Sequence, residues 1–164
     1  MTTGAAFFIA FLLIQRLGEL VIARRNTARL LAEGAQEVGA AHYPLIVALH
    51  AAWLAAIAIL GHDQPVHPGW FAAFVALQAL RLWILASLGP RWTTRIIVTG
   101  TPLVARGPYR WLPHPNYTLV VAEIAVAPMV LGLTWVAAVF TVLNALVLTI
   151  RIRAENAALA PMRG

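Results

Sequence analysis

The chain has 164 residues, 61% of them hydrophobic, with a formal net charge of +6 and no cysteine. Ordinary soluble domains are roughly 45–50% apolar, so this composition, with a mean hydropathy of +0.79, excludes a soluble globular domain and indicates an integral membrane protein. The absence of cysteine excludes disulfides, thiolate metal sites and thiol nucleophiles. The basic residues, all arginine, lie beside apolar runs, so anionic lipid headgroups and topology explain the charge better than nucleic acid does.

The expected architecture is one all-α membrane domain over residues 1–164, with about five transmembrane helices. Met1 to Ala6 carries no basic residue, so it lacks a signal-peptide n-region and the first apolar run is expected to stay as a helix. Span one covers about Ala5 to Ile22. Within it Arg16 and Glu19 are three apart and can pair on one face, either as a structural ion pair or as functional groups. Arg24, Arg25, Asn26 and Arg29 follow. They lead into a polar connection that ends near Gly39, with an interfacial helix over about Thr27 to Ala35.

Span two covers about Tyr43 to Leu60, and Pro44 suits its first turn. His42 and His50 differ by about 80° around a helix. With no third ligand nearby, packed histidines are a better reading than a metal site. The loop from Gly61 to Pro68 contains His62, Asp63 and His67 and reads as a solvated turn. Span three covers about Trp70 to Leu88, carries Gln78 and Arg81, and ends at Gly89-Pro90. Ile96 to Val98 is β-branched and too short to span, so it reads as a strand-like segment.

Pro102, Pro108, Pro113 and Pro115 then fall within one short stretch. Each removes a backbone donor and restricts the residue before it, so no regular helix passes through. Irregular backbone at a bilayer is tolerated where protein or water satisfies it, which marks either a site or a cytoplasmic loop whose arginines meet lipid phosphates. Span four covers about Asn116 to Leu131 and span five about Thr134 to Ile150. Only Gly132-Leu133 separates them, so they form a C-terminal helical hairpin. Glu123 lies two turns into span four. A carboxylate there marks a site or a buried pair, for which Arg16 and Arg81 are the candidate partners.

The connections after spans one and three and the C-terminal tail hold nearly all the arginines. The positive-inside rule therefore puts the N-terminus outside and the Pro-rich stretch and C-terminus in the cytoplasm. Asn144, Arg151 and Glu155 fall within about 20° of one line along the last helix. They meet Tyr109, His114 and Tyr117 on that side of the membrane. Tyrosines can face a cation or stack on a base, Glu155 can accept from an amine or ribose hydroxyls, and Arg151 offers a planar fork to an anion. There is no phosphate-binding glycine pattern. The residues alone thus describe a cytoplasm-facing polar site, formed from about 91–117 and 144–159, in a small membrane bundle.

Gly107-Pro108-Tyr109, His114-Pro115-Asn116-Tyr117, and Arg151 with Glu155 and Leu159 resemble the isoprenylcysteine carboxyl methyltransferase family. His42-Tyr43-Pro44 and Arg91-Trp92 extend the likeness, and membrane phospholipid methyltransferases are similar. The resemblance implies S-adenosylmethionine as cofactor and a membrane-embedded helical fold. It implies a cofactor pocket lined by Leu103, Val104, Tyr109, His114, Pro115, Asn116, Tyr117 and Glu155, with Arg151 beside the methyl acceptor. Glu123 and Asn144 are candidates for buried polar support. The implied acceptor is a lipophilic carboxylate or acidic hydroxyl, prenylcysteine-like or lipid-like polyketide, entering from the bilayer. Two positions depart from the family pattern: Pro113 stands where arginine is usual, and Thr101-Pro102 replaces a polar pair. The alternatives are N-methylation of a phospholipid amine, which a cationic Arg151 disfavours, a membrane reductase using NADPH, and a non-enzymatic scaffold.

Overall fold

The computed structural model describes residues 2–160 except Leu103 and Pro113. Those two positions, and the side chain of Leu159, therefore lie outside the described residues. The described helices are α1 (Thr3–Ala32), α2 (Tyr43–Gly61), α3 (Pro68–Leu88), α4 (Pro115–Val130) and α5 (Thr134–Leu159). Strands β1 (Gln36–Val38) and β2 (Ile96–Val98) pair antiparallel, with Glu37 opposite Ile97. The helices alternate in direction. At one end Thr2 N–H donates to His62 O and His67 N–H to Val130 O. The β1–β2 ribbon and the Pro-rich stretch lie at the other end.

This is a mainly α-helical membrane protein with one short β-ribbon, and among the described residues four helices are long and apolar enough to cross a bilayer. At 16 residues, α4 is shorter than the roughly 20 that a typical span needs. Phe7, Ile14, Leu82 and Trp135 point outward with 68–84% of their surface uncovered, a surface that lipid tails accept and water opposes.

Two expectations are corrected. Span one does not stop at Ile22, and no separate interfacial helix begins at Thr27; α1 is one helix of 30 residues. No glycine or proline interrupts it between Ile22 and Glu33. It stops where Gly34 takes φ +92°. Ala35 N–H then bonds to Leu30 O and Gly34 N–H to Leu31 O, a Schellman closure. The connection beyond it is also not wholly irregular, because Gln36–Val38 forms β1 against the expected strand-like segment. The last helix runs on past Ile150 to Leu159, so Arg151 and Glu155 lie on it, as their alignment with Asn144 implies.

The core joins α1, α2, α3 and α4 through Phe8, Leu12, Trp53, Ile57, Phe74 and Ile124. Pro128 lies inside α4 and, having no N–H, leaves the Ile124 carbonyl without its helical donor. The buried Trp53 indole N–H supplies one across the helix interface at 3.2 Å. Apolar packing and backbone satisfaction thus coincide at one side chain.

Halfway along the bundle, two arginines and two glutamates form a closed set. Arg16 donates to Glu123 at 2.6 Å and to Glu19 at 3.0 Å. Arg81 donates through Nε to Glu123 Oε1 at 2.9 Å and through Nη1 to Glu19 at 2.8 Å, and its Nη2 also meets Glu123. Gln78 donates to Glu123 at 2.9 Å, and Gln15 bridges Gln78 and Glu19. The two positive and two negative charges cancel, which permits burial. Each charge depends on the others, because removing one partner strands the rest at a cost of about 3–5 kcal/mol.

Glu123→Ala should therefore lower the unfolding temperature in detergent far more than Glu33→Ala. The latter removes only an exposed pair with Arg29, worth about 0–1 kcal/mol. Equal shifts in a thermal melt would contradict this assignment of the network.

Candidate functional site

The Pro-rich stretch is pinned to the end of α3. Arg106 Nε donates to Ser87 O at 2.7 Å. Gly107 takes φ +59°, and a Cβ there would lie 2.1 Å from Ser87 Oγ, so only glycine fits this approach. Residues Gly107–Arg110 then make one 3-10 turn, which packs Tyr109 against the Ile84, Trp92 and Leu119 cluster. Asn26 of α1 donates to Trp92 O at 2.8 Å, and Arg91 donates to Pro102 O at 2.8 Å. Irregular backbone is therefore held by side chains of α1, of the turn after α3 and of the stretch itself.

A cleft of about 420 Å³ opens beneath this stretch, against β2 and the end of α5, within the range of small-molecule sites (roughly 300–1,000 Å³). Val104, Tyr109, His114, Asn116, Tyr117 and Glu155 all face it. Pro115 does not: it is buried and begins α4. Leu103 lies outside the described residues. His114 stacks on Tyr117 with centroids 5.4 Å apart. Its Nε2 lies 3.2 Å from Asn156 Oδ1 and its Nδ1 3.6 Å from Glu155 Oε1. Burial, reinforced by the Glu155 carboxylate, raises the ionisation of the Tyr109 phenol well above its ordinary value. Tyr109 therefore offers a neutral hydroxyl and an aromatic face.

The floor of the cleft is one hydrogen-bonded chain. Tyr117 OH donates to Glu155 Oε2 and accepts from Arg151 Nε at 2.8 Å. Arg151 Nη2 donates to the Thr94 carbonyl at 2.8 Å, and its guanidinium lies 5.5 Å from the Tyr117 ring centre. The guanidinium is thus buried and fixed in plane. No described residue takes its Nη1 group.

Behind this chain lies a second cavity of about 230 Å³ between α1, α2, α4 and α5, with mostly apolar walls such as Ile46, Val47, Leu54 and Leu148. Trp92, Thr93, Asn116, Tyr117 and Arg151 border both spaces. Tyr43 stands at the rim, its ring 4.5 Å from the Arg95 guanidinium and its hydroxyl 2.9 Å from Thr94 Oγ1. Asn144 faces the inner cavity. It is buried, and its Nδ2 has no partner among the described residues, a state that costs about 1–3 kcal/mol. Glu123 lines neither space and belongs to the ion network.

The expected site residues are therefore divided between two cavities. Glu155, His114 and Tyr109 face one, Asn144 the other, and Tyr117 and Arg151 both. Sequence reasoning did not single out Thr94, which contributes a backbone carbonyl that no side-chain pattern reveals. It also gave no bond between Tyr117 and Arg151, whose ridges meet only once α4 and α5 are packed.

Residues 70–161 match the model of the isoprenylcysteine carboxyl methyltransferase (ICMT) family. The chain belongs to the isoprenylcysteine carboxyl methyltransferase family. The matched region includes α3 from Trp70 onward, the Pro-rich stretch and the α4–α5 hairpin, hence every residue of the Glu155–Tyr117–Arg151 chain. An uncharacterized protein of Bacillus subtilis (strain 168), YpbQ, is 39% identical over 159 residues, which cover 92% of this chain and 94% of that one. No solved structure matches the chain. Membership makes the protein a methyltransferase of a family that uses S-adenosylmethionine and acts on lipophilic substrates.

Because the Tyr109 phenol ionises above the usual value of about 10, Tyr109→Phe should leave the phenolate absorbance titration unchanged up to about pH 10. A step lost from that titration in the variant would contradict the buried, neutral phenol.

Proposed function

We infer that the 420 Å³ cleft holds S-adenosylmethionine, that the 230 Å³ cavity holds the apolar part of the acceptor, and that the methyl group passes between them at Tyr117 and Arg151. The observation that carries this reading is the shared wall: one hydroxyl and one guanidinium border both cavities. Methyl transfer needs donor carbon and acceptor atom in line, about 3–3.5 Å apart and shielded from water, and two spaces meeting at a fixed polar pair provide that.

The donor set of the outer cleft fits the cofactor. The Glu155 carboxylate suits an ammonium or ribose hydroxyls, and the faces of Tyr109 and His114 suit an adenine ring or a sulfonium. Val104 adds to this wall, with Asn116 and Tyr117 at its base and Pro115 starting the helix that carries them; by the family's motif Leu103 is also a cofactor contact. The bound cofactor supplies an electrophilic methyl group. Arg151 orients the acceptor through Nη1 while Tyr117 and Thr94 hold its other nitrogens.

The acceptor is an anion, either a carboxylate as in a prenylated cysteine or the acidic hydroxyl of a lipid-like polyketide. Its oxygen lone pair forms the new bond to carbon as the sulfur–methyl bond breaks, and the sulfur keeps the electron pair. The acceptor has no proton to lose, so no strong base is needed. A phospholipid amine is disfavoured, because Arg151 would face a cationic headgroup. The reading puts this end of the bundle, with the C-terminus, on the cytoplasmic side and the N-terminus outside; the clustering of arginines at this end supports it through the positive-inside rule. The acceptor's tail enters from the bilayer between helices.

In calorimetry with S-adenosylhomocysteine, the wild-type protein should bind saturably and Glu155→Ala should bind at least tenfold more weakly. Equal affinities would remove Glu155 from the cofactor site. Arg151→Lys should keep the cofactor affinity but lower turnover about 10- to 100-fold, the scale of one charge-assisted hydrogen bond. Lysine keeps the charge but loses the planar fork. Unchanged turnover would remove Arg151 from the acceptor.

A further inference from the structure

The Pro-rich stretch has an outer face as well as the inner one that borders the cleft. The 3-10 turn Gly107–Arg110 turns Tyr109 inward, to the cleft and the Ile84, Trp92 and Leu119 cluster. The next two residues lie outside. Arg110 is exposed, its guanidinium 5.5 Å from the Trp111 ring centre, and it makes no hydrogen bond or ion pair among the described residues. Trp111 keeps 68% of its surface uncovered, although its backbone N–H is tied to Pro108 O at 3.2 Å. Its ring meets Trp83 of α3 edge to face, with centroids 6.2 Å apart. Trp83 is itself exposed, beside the outward Leu82. Arg106 reaches α3 one turn beyond Trp83, where its Nε bonds Ser87 O, and its Nη groups have no partner among the described residues.

This surface lies at the edge of the hydrocarbon layer. At the far end of the bundle α3 and α4 share one level, because His67 N–H, just before α3, bonds to the carbonyl of Val130, the last residue of α4. From that level α3 runs for 21 residues and α4 for only 16. At 1.5 Å per residue, the Pro115 end of α4 falls about 7 Å short of the Leu88 end of α3. Trp83 stands five residues before Leu88, which is also about 7 Å. The Pro-rich stretch thus dips to the depth of Trp83, and tryptophans of membrane proteins gather where hydrocarbon meets headgroups.

A guanidinium unpaired at that boundary calls for an anion, and an aromatic pair beside it calls for hydrocarbon. A phospholipid supplies both. Its phosphate oxygens match the planar fork of arginine, and its acyl chains cover Trp83, Trp111 and Leu82. A zwitterionic headgroup brings a cation along with the phosphate, which two arginines oppose, so the charge selects an anionic lipid.

We propose that Arg110, with Arg106, Trp111 and Trp83, is a binding site for an anionic phospholipid, and that its occupancy tightens cofactor binding in the cleft. The second half rests on the reading that the outer cleft holds S-adenosylmethionine. A turn already fixed on its outer face has less freedom to lose when Tyr109 closes on a ligand, and such pre-ordering raises affinity. Linkage makes the effect reciprocal, so the cofactor strengthens lipid binding by the same factor.

The test uses full-length protein in a neutral maltoside detergent and two water-soluble lipids with the same short chains, dihexanoyl phosphatidylglycerol and dihexanoyl phosphatidylcholine. In thermal-shift titrations without cofactor, the phosphatidylglycerol should stabilise the wild type saturably. Its half-saturating concentration should be about tenfold below that of the phosphatidylcholine, the scale of one charge-assisted hydrogen bond. Arg110→Gln, at an exposed side chain, should fold normally and lose that preference. Arg24→Gln, at an exposed arginine of α1, should keep it. Equal half-saturation by the two lipids would overturn the proposal, as would a preference that survives in Arg110→Gln. Equal loss in Arg24→Gln would reveal only the diffuse attraction of a basic surface and overturn it too. Inorganic phosphate as effective as the phosphatidylglycerol would do the same, because the site would then take an anion without a lipid. In calorimetry, S-adenosylhomocysteine should bind the wild type about fivefold more tightly with saturating phosphatidylglycerol than without, and Arg110→Gln should show no such gain. Equal affinities in the wild type would overturn the coupling. No S-adenosylhomocysteine binding to lipid-saturated wild type would instead strike the cofactor reading and leave the lipid site standing.

Discussion

The fold depends on placing two carboxylates inside an apolar bundle and neutralising them there. An isolated charge at that depth is expelled or demands a partner. Glu19, Glu123, Arg16 and Arg81 meet this demand together, drawing from α1, α3 and α4. The arrangement is specific because guanidinium bonds are directional: Arg81 reaches Glu123 through Nε and Nη2 and Glu19 through Nη1. Sliding α3 by one residue against α4 would break both sets. Apolar contacts tolerate small slips between helices, whereas these bonds do not, so the network sets the register in which α4 meets its neighbours.

That register matters because α4 carries both the structural carboxylate and the hydroxyl at the centre of the site. Tyr117 lies six residues before Glu123 on the same helix, about 9 Å along the axis. Fixing Glu123 fixes the height of Tyr117, which must meet Arg151 and Glu155 of α5. The two prolines of α4 assist. Pro115 starts the helix directly after the irregular stretch, so Tyr117 lies in its first turn. Pro128 frees the Ile124 carbonyl for Trp53, tying α2 to the far half of the helix. The inner cavity lies between these tied helices and α5, with Arg16, Glu19 and Arg81 at its deep side.

The membrane class, the α4–α5 hairpin and the broken helix at residues 102–115 were legible because hydropathy and proline act locally. The pairing of Arg16 and Arg81 with Glu123 was legible only as a possibility: in lipid each charge must find a partner, but sequence does not say which. The end of span one was misjudged because a run of arginines resembles a loop, whereas arginine is a good helix former and the true stop is Gly34. Strand β1 was missed because three polar-flanked residues carry no period, and only their partner Ile96–Val98 was apolar enough to be noticed. Within the site the periodic alignment of Asn144, Arg151 and Glu155 was visible. Their division between two cavities was not, because it depends on how Tyr117 of α4 packs against α5.

Arg151 shows how a single side chain can be specialised by its neighbours. A free guanidinium would accept an anion from any direction and would be equally able to bind a lipid phosphate. Here Nε is held by a tyrosine hydroxyl and Nη2 by a backbone carbonyl. Among the described residues only Nη1 is left without a partner, and the residue is buried, so its charge is poorly screened by water. The tyrosine that directs this edge also bonds Glu155 in the outer cleft. One hydroxyl therefore joins the carboxylate of the outer cleft to the guanidinium that borders both cavities, and fixes the position of each relative to the other.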